Sequence, residues 1–139
     1  MLFMLKGLFH MLNNKGQTLV LFVVILPVLL LLLVLIIDVG KMIMLKLELN
    51  NISEIVLDYG IDNLDKENVQ DELVNLVHLN KKNIDKVDVS IVDDKIYIDL
   101  EASGEGLFSG VVNATLFTIE TNYVGYMNDG EKRIERIGD

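Results

Sequence analysis

Residues 19–37 read LVLFVVILPVLLLLLVLII, without one charged or hydrogen-bonding side chain. As an α-helix this run would be roughly 28 Å long, at about 1.5 Å per residue, which is close to the hydrocarbon thickness of a bilayer. In lipid the backbone must satisfy its own hydrogen bonds, so an isolated span of this kind is expected to be helical. Pro27 removes one of those bonds and can kink the helix, a defect that membrane helices tolerate. A wholly buried core helix is the competing reading, but the remaining hundred or so residues would scarcely supply a shell around it. A cleaved signal peptide fits poorly too. The apolar core is longer than the usual ~7–15 residues, and Asp38, Val39, Gly40 and Lys41 follow it in place of a small-x-small cleavage site.

Outward from this run, composition divides the chain. There are 12 Lys and Arg against 21 Asp and Glu, a formal charge of −9, yet 51% of residues are hydrophobic. The apolar residues crowd into the first third and the charges into the rest, implying two physical environments. Absence of cysteine removes disulfides, thiolate metal sites and cysteine nucleophiles. An acidic chain with no basic stripe also argues against nucleic acid as a partner. Orientation is balanced by charge, since Lys6 and Lys15 precede the span and Lys41 and Lys46 follow it. The amino terminus is expected inside, because its short extension carries no acid whereas Glu48, Glu54 and Asp58 follow on the other side.

Past the span, Leu45, Leu49, Ile52, Val56 and Tyr59 recur at helical spacing, with Lys46, Asn50, Ser53 and Glu54 between them. This predicts a helix-packing face on an amphipathic continuation of the membrane helix, ending at Gly60. A second helix is expected from Glu67 to about Asn80, burying Val69, Leu73, Leu76 and Val77 and capped by Asp65. The period then changes to two. Val87, Val89 and Ile91, then Ile96, Ile98 and Leu100, alternate with polar residues as two half-buried strands joined at Asp93 and Asp94. Gly104, Gly106 and Gly110 surround Leu107 and Phe108 in a loop or short helix, and a third strand is expected from about Thr115 to Tyr126. After the Asn128, Asp129, Gly130 turn, Ile134 and Ile137 form a last edge strand or fray. The expected fold is therefore α+β: a long N-terminal transmembrane helix continuing as an amphipathic helix, a second helix, and a small antiparallel sheet of three to four strands. The divisions are a cytoplasmic leader-like extension (1–16), a transmembrane helix (17–40) and an extracytoplasmic domain (41–139).

The search for catalytic chemistry returns little. His10 and His78 have no histidine at ligand spacing. Asp58, Asp62, Asp65, Glu67, Asp71 and Glu72 are dense but lack the alternation and central glycine of an EF-hand, so they read as a solvated surface, with weak calcium binding as the open alternative. Asn51 and Asn113 begin glycosylation triplets, a short pattern that matters only in a suitable secretory system. There is neither a phosphate-cradling glycine loop nor a serine nucleophile elbow. No metal, cofactor or enzymatic activity is expected.

The junction Lys15, Gly16, Gln17, Thr18, Leu19, Val20, Leu21, Phe22, running through Pro27 to Asp38 and Gly40, resembles the TadE/TadG group of Flp (tight adherence) pilus assembly proteins. Their members carry a basic residue and a glycine, an apolar helix of the form V-E-F-A-L-V-L-P, and an aspartate and glycine where the helix leaves the membrane. Gly16, Val20, Phe22, Pro27, Asp38 and Gly40 fall in register with that pattern. The resemblance implies a pilin-like minor or accessory component in the cytoplasmic membrane of a bacterium, with other pilin-like or pilus assembly proteins as partners of its N-terminal helix. It also implies processing by prepilin peptidase between Gly16 and Gln17, which would shift the formal charge from −9 to −11 by removing Lys6 and Lys15. One position departs: Leu21 stands where the group has a glutamate that pairs with the new terminal amine of a neighbouring subunit. An ionisable group within the bilayer is costly and usually functional, so its loss points to an anchored accessory member. The alternative is a free-standing single-pass protein with an extracytoplasmic sensor or binding module.

Overall fold

The computed structural model describes residues 1–11, 16–107 and 117–138, of which residues 8–11 are described by their backbone alone. Two compact units, Met1–Ile37 and Asp38–Asp139, divide the chain. In the first unit, a short helix α1 (Leu2–Met11) precedes the start of α2 (Gly16–Asp62). Pro27 lies inside α2, which continues unbroken past it. None of residues 19–37 is buried.

The second unit holds the rest of α2, then α3 (Val69–Asn80) and four strands: β1 (Lys86–Val92), β2 (Lys95–Gly104), β3 (Phe117–Asn128) and β4 (Glu131–Arg136). The sheet is an antiparallel meander in chain order, β1-β2-β3-β4. This is the expected α+β architecture, and the fourth strand forms. Two-residue turns set the register of both outer hairpins, Val92 facing Lys95 and Asn128 facing Glu131. Asp93 and Asp94 have φ of 52° and 59°, and Asp129 and Gly130 have 52° and 80°. Such turns need positive φ at both central residues, because only that twist matches the twist of the flanking strands. Asp, Asn and Gly tolerate it.

Strand alternation then decides what is buried. Ile96, Ile98, Leu100 and Ala102 of β2 point inward with Val89 of β1 and Thr121 and Tyr123 of β3. They join Leu49, Ile52, Val56, Leu57 and Ile61 of α2 and Val69, Leu73 and Val77 of α3 in one core. Two glycines let α2 come close to the sheet. A Cβ on Gly60 would lie 2.7 Å from Ile96 Cδ1 and 3.0 Å from Leu73 Cδ1. On β3, a Cβ on Gly125 would lie 3.2 Å from Leu57 Cβ, Leu57 Cδ2 and Ile61 Cδ1. Gly125 sits in the cross-strand row Ile91, Ile96, Gly125, Ile134, so it forms a notch between larger side chains into which α2 presses.

Several local expectations are corrected. Helix α2 does not end at Gly60 but runs to Asp62, and Gly60 is buried within it because its neighbours leave no room for a side chain. The end is held instead by Asn63, whose Nδ2 donates to Tyr59 O at 2.7 Å and whose backbone N–H donates to Gly60 O at 3.2 Å. Helix α3 starts at Val69 with Asn68 at the cap and no side-chain cap bond, so Asp65 does not cap it. Ser53 belongs to the core: its hydroxyl donates to Leu49 O at 2.9 Å, satisfying the polar atom locally. The third strand is described from Phe117 and extends to Asn128. Thr115 and Phe108 lie outside the described residues.

Candidate functional site

With no catalytic cluster among the described residues to build from, the surfaces of α2 are the candidate site. Gly16 and Gln17, the expected processing position, open the helix, and Lys15 lies outside the described residues. Leu21, Phe22 and Pro27 are exposed. A continuous apolar surface of this length is far beyond the largest patch an ordinary soluble monomer presents to water, so lipid or other helices must cover it. This follows from the residues themselves, none of which can pair with water by hydrogen bonding.

Where the apolar run ends, Asp38 and Gly40 meet the start of the β2–β3 connection. Asp38 Oδ1 accepts the backbone N–H of Leu107 at 2.6 Å. A Cβ on Gly106 would lie 2.7 Å from Asp38 Oδ2, so the main chain approaches the carboxylate as closely as glycine permits. Gly40 has nothing within 4 Å of the place its Cβ would occupy. Further along, a cleft of about 700 Å³ is lined by Lys41, Met44, Leu45, Glu48, Lys81 and Phe117 among others. Lys81 Nζ and Glu48 Oε2 pair across it at 3.0 Å. At the strand ends the Phe117 ring lies over Gly104.

Of the face read from the sequence, Leu49, Ile52 and Val56 are buried within this chain, Leu45 packs against the core in part, and Tyr59 is exposed. The face thus serves the sheet of the same chain. Sequence spacing captured one residue per turn, whereas the helix buries pairs (Ile52 with Ser53, Val56 with Leu57, Gly60 with Ile61). Elsewhere on α2, Ile43, Met44, Leu47 and Ile55 remain exposed and apolar.

The polar clusters around the domain are structural in chemistry. Tyr59 OH donates to Glu72 Oε2 at 2.9 Å, and Lys66 Nζ donates to the same hydroxyl at 3.4 Å. Lys132 of β4 reaches Asp62 Oδ2 at 2.6 Å and Asp58 Oδ1 at 3.0 Å, joining residues seventy or more positions apart. The hydrogen bond to Asp62, then that to Asp58, holds the Lys132 ammonium above its ordinary value. For Lys66 the bond to Tyr59 comes first and the charge of Glu72 second. Amines held protonated in this way are unsuited to nucleophilic work, which needs a lowered pKa. Part of the acidic stretch is therefore paired, a feature that sequence proximity does not display. Among the described residues no group of three or more His, Cys, Asp or Glu is placed to hold a metal ion.

Tyr123 gives the domain an alkaline limit. Burial chiefly, with the nearby charge of Glu54, raises its phenol above the ordinary value of 10.0, against a smaller lowering by Arg136. A phenol whose folded value exceeds its unfolded one stabilises the fold fully below the unfolded value, and that contribution is lost as pH rises through the folded value. Stability is thus expected to hold up to about pH 10 and fall above it. Tyr123→Phe should lessen the fall measured by circular dichroism, leaving the part due to Lys66, Lys86 and Lys132, whose shifts have the same sign. An unchanged alkaline profile in Tyr123→Phe would show that another group sets the limit.

Residues 16–54 match the family model described as TadE-like protein. The match begins where α2 begins, covers its apolar run with Asp38 and Gly40, and stops within the part of α2 that packs on the sheet. Comparison with curated proteins and with solved structures brings no match. The family is one of pilus components and not a known enzyme family. Together with the apolar helix, the match points to a membrane-anchored, pilus-associated protein.

Proposed function

We propose that this chain, TadE-like over residues 16–54, is an accessory, pilin-like component of a Flp/Tad-type pilus or a related secretion machine. It acts by helix packing and protein–protein contacts rather than by catalysis. The apolar helix carries the reading, because the matched stretch includes residues 19–37, none of which is buried among the described residues. In this reading residues 1–16 are a cytoplasmic leader-like extension, 17–40 cross the cytoplasmic membrane, and 41–139 form the domain outside. Since Leu49, Ile52 and Val56 are used internally, partner helices meet residues 19–37 and the exposed side chains Leu47 and Ile55. Leu21 cannot offer a carboxylate to a neighbour's amine in low dielectric, where such an attraction would be strong. The protein therefore occupies the tip or base of a filament, or the assembly platform, rather than the repeating position. Prepilin peptidase is a partner if Gly16–Gln17 is cleaved.

The chain has no cysteine, so single cysteines at Leu47 and Ile55 allow cross-linking in cells without background. Adducts with pilin-like or pilus assembly proteins are expected from both positions, and none from a cysteine at the exposed Leu79 of α3. Absence of such adducts, with normal piliation in a deletion strain, would leave a free-standing single-pass membrane protein. Sequencing the amino terminus of membrane-purified protein, with and without the peptidase, decides processing. A mature chain starting at Gln17 and abundant throughout sheared pili would overturn the argument from Leu21.

A further inference from the structure

We infer that Leu107 rests in the interfacial layer of the bilayer, pinned there by Asp38, so that this residue, just past β2, is a second point of lipid contact for the domain. This rests on residues 19–37 being the membrane span. Asp38 is the first residue after that run, so in a spanning helix its carboxylate lies at the level where hydrocarbon gives way to headgroups. Whatever binds that carboxylate shares its depth. Leu107 binds it through its backbone N–H at 2.6 Å, and Gly106 approaches it closely enough to exclude a Cβ. A chain segment nearly seventy residues downstream is thus fixed at the membrane boundary by its main chain. That leaves the Leu107 side chain 46% exposed at that level.

The surrounding charges identify the occupant as the apolar part of the interface rather than an anionic headgroup. Lys41, one turn along α2, is exposed and long enough to extend its stem along lipid with its ammonium in the headgroups. Glu105, also exposed, stands beside Leu107 and opposes anionic lipid, as does the chain's net charge of −9. Contact therefore depends on the leucine side chain and is largely indifferent to the anionic lipid fraction.

The full-length protein can be tested in phosphatidylcholine vesicles, with an environment-sensitive fluorophore on a single cysteine at Leu107, Leu29 or Leu79 and a quencher on the lipid near the headgroup. The label at Leu107 is expected to be quenched at least threefold more than at Leu79, with little change when anionic lipid is added. Asp38→Ala in the Leu107→Cys background should bring that quenching down towards the Leu79 level without altering the circular dichroism spectrum. If the label at Leu29 shows the blue-shifted emission of a hydrocarbon environment while Leu107 behaves like Leu79, the inference fails and the span stands. If the Leu29 label emits as in water, both are overturned. Quenching at Leu107 that survives Asp38→Ala would refute the pinning by Asp38, and quenching that requires anionic lipid would refute the apolar contact.

Discussion

Leu57→Ala is expected to destabilise the sheet-bearing domain by about 3–4 kcal/mol, within the range for truncating a fully buried leucine. Leu57 is 0% exposed, and its Cβ and Cδ2 lie against the notch at Gly125, flanked by Ile61. Truncation keeps the Cβ contact but empties the space that the rest of the side chain fills between α2 and β3. Helix and strand are each tied to their neighbours by backbone bonds, so the site can collapse only in part and most of the cavity cost remains. For a domain of about a hundred residues with a stability of roughly 5–15 kcal/mol, that is about a fifth or more of the total. It corresponds to a fall in Tm of roughly 12–30 °C. Thermal unfolding of the full chain in detergent, followed by circular dichroism in the strand region, measures it. Leu79→Ala, at an 81% exposed position, is the matched control and should shift stability by less than about 0.5 kcal/mol. Equal melting of the two variants would mean that α2 does not pack on Gly125.

The second large effect belongs to the apolar run. Lysine near the centre of a spanning helix costs about 2.5–3.5 kcal/mol per residue in insertion free energy. Leu29→Lys with Leu32→Lys therefore removes about 5–7 kcal/mol of membrane preference. Both leucines are exposed and belong to the first unit, so the change is expected to act on insertion. The wild-type chain is expected to stay with membranes after a carbonate wash, and the double variant to be released or degraded. Leu47→Lys, ten residues beyond the end of the run, should stay bound. Retention of the double variant would show that something other than the span holds the protein on the membrane.

The anchor and the sheet were legible in the sequence because each rests on a one-dimensional signal: an unbroken apolar run, a period of two, and Asp or Gly at the turns. The TadE-like helix was legible for the same reason, since Gly16, Phe22, Pro27, Asp38 and Gly40 lie within one continuous stretch. What escaped depends on contacts between distant segments. Gly60 carries a helix-terminating residue's usual meaning until Ile96 and Leu73 are seen against it. Ser53 looks like a solvent residue unless its hydroxyl is known to bond Leu49 O. Tyr59 shares the spacing of the core face, yet its hydroxyl draws it to Glu72 at the flank. The pairing of Lys132 with Asp58 and Asp62 and the tether from Asp38 to Leu107 join residues about seventy positions apart, and no local pattern marks either.

Sheet order equal to chain order has a bearing on how the protein is made. Each strand pairs with the one just synthesised, so the hairpins can zip locally, and pairings between sequence neighbours are the fast ones. The exception is α2. It is completed at Asp62, but Gly125, which receives Leu57 and Ile61, lies 63 residues later (125 − 62). At about 5–20 residues per second, Leu57 and Ile61 wait roughly 3–13 s for that contact while the later strands are translated. A newly made chain thus spends seconds as a membrane helix with a sticky extension. That interval is when chaperone capture, proteolysis or pairing with the wrong helix competes with closure of the sheet.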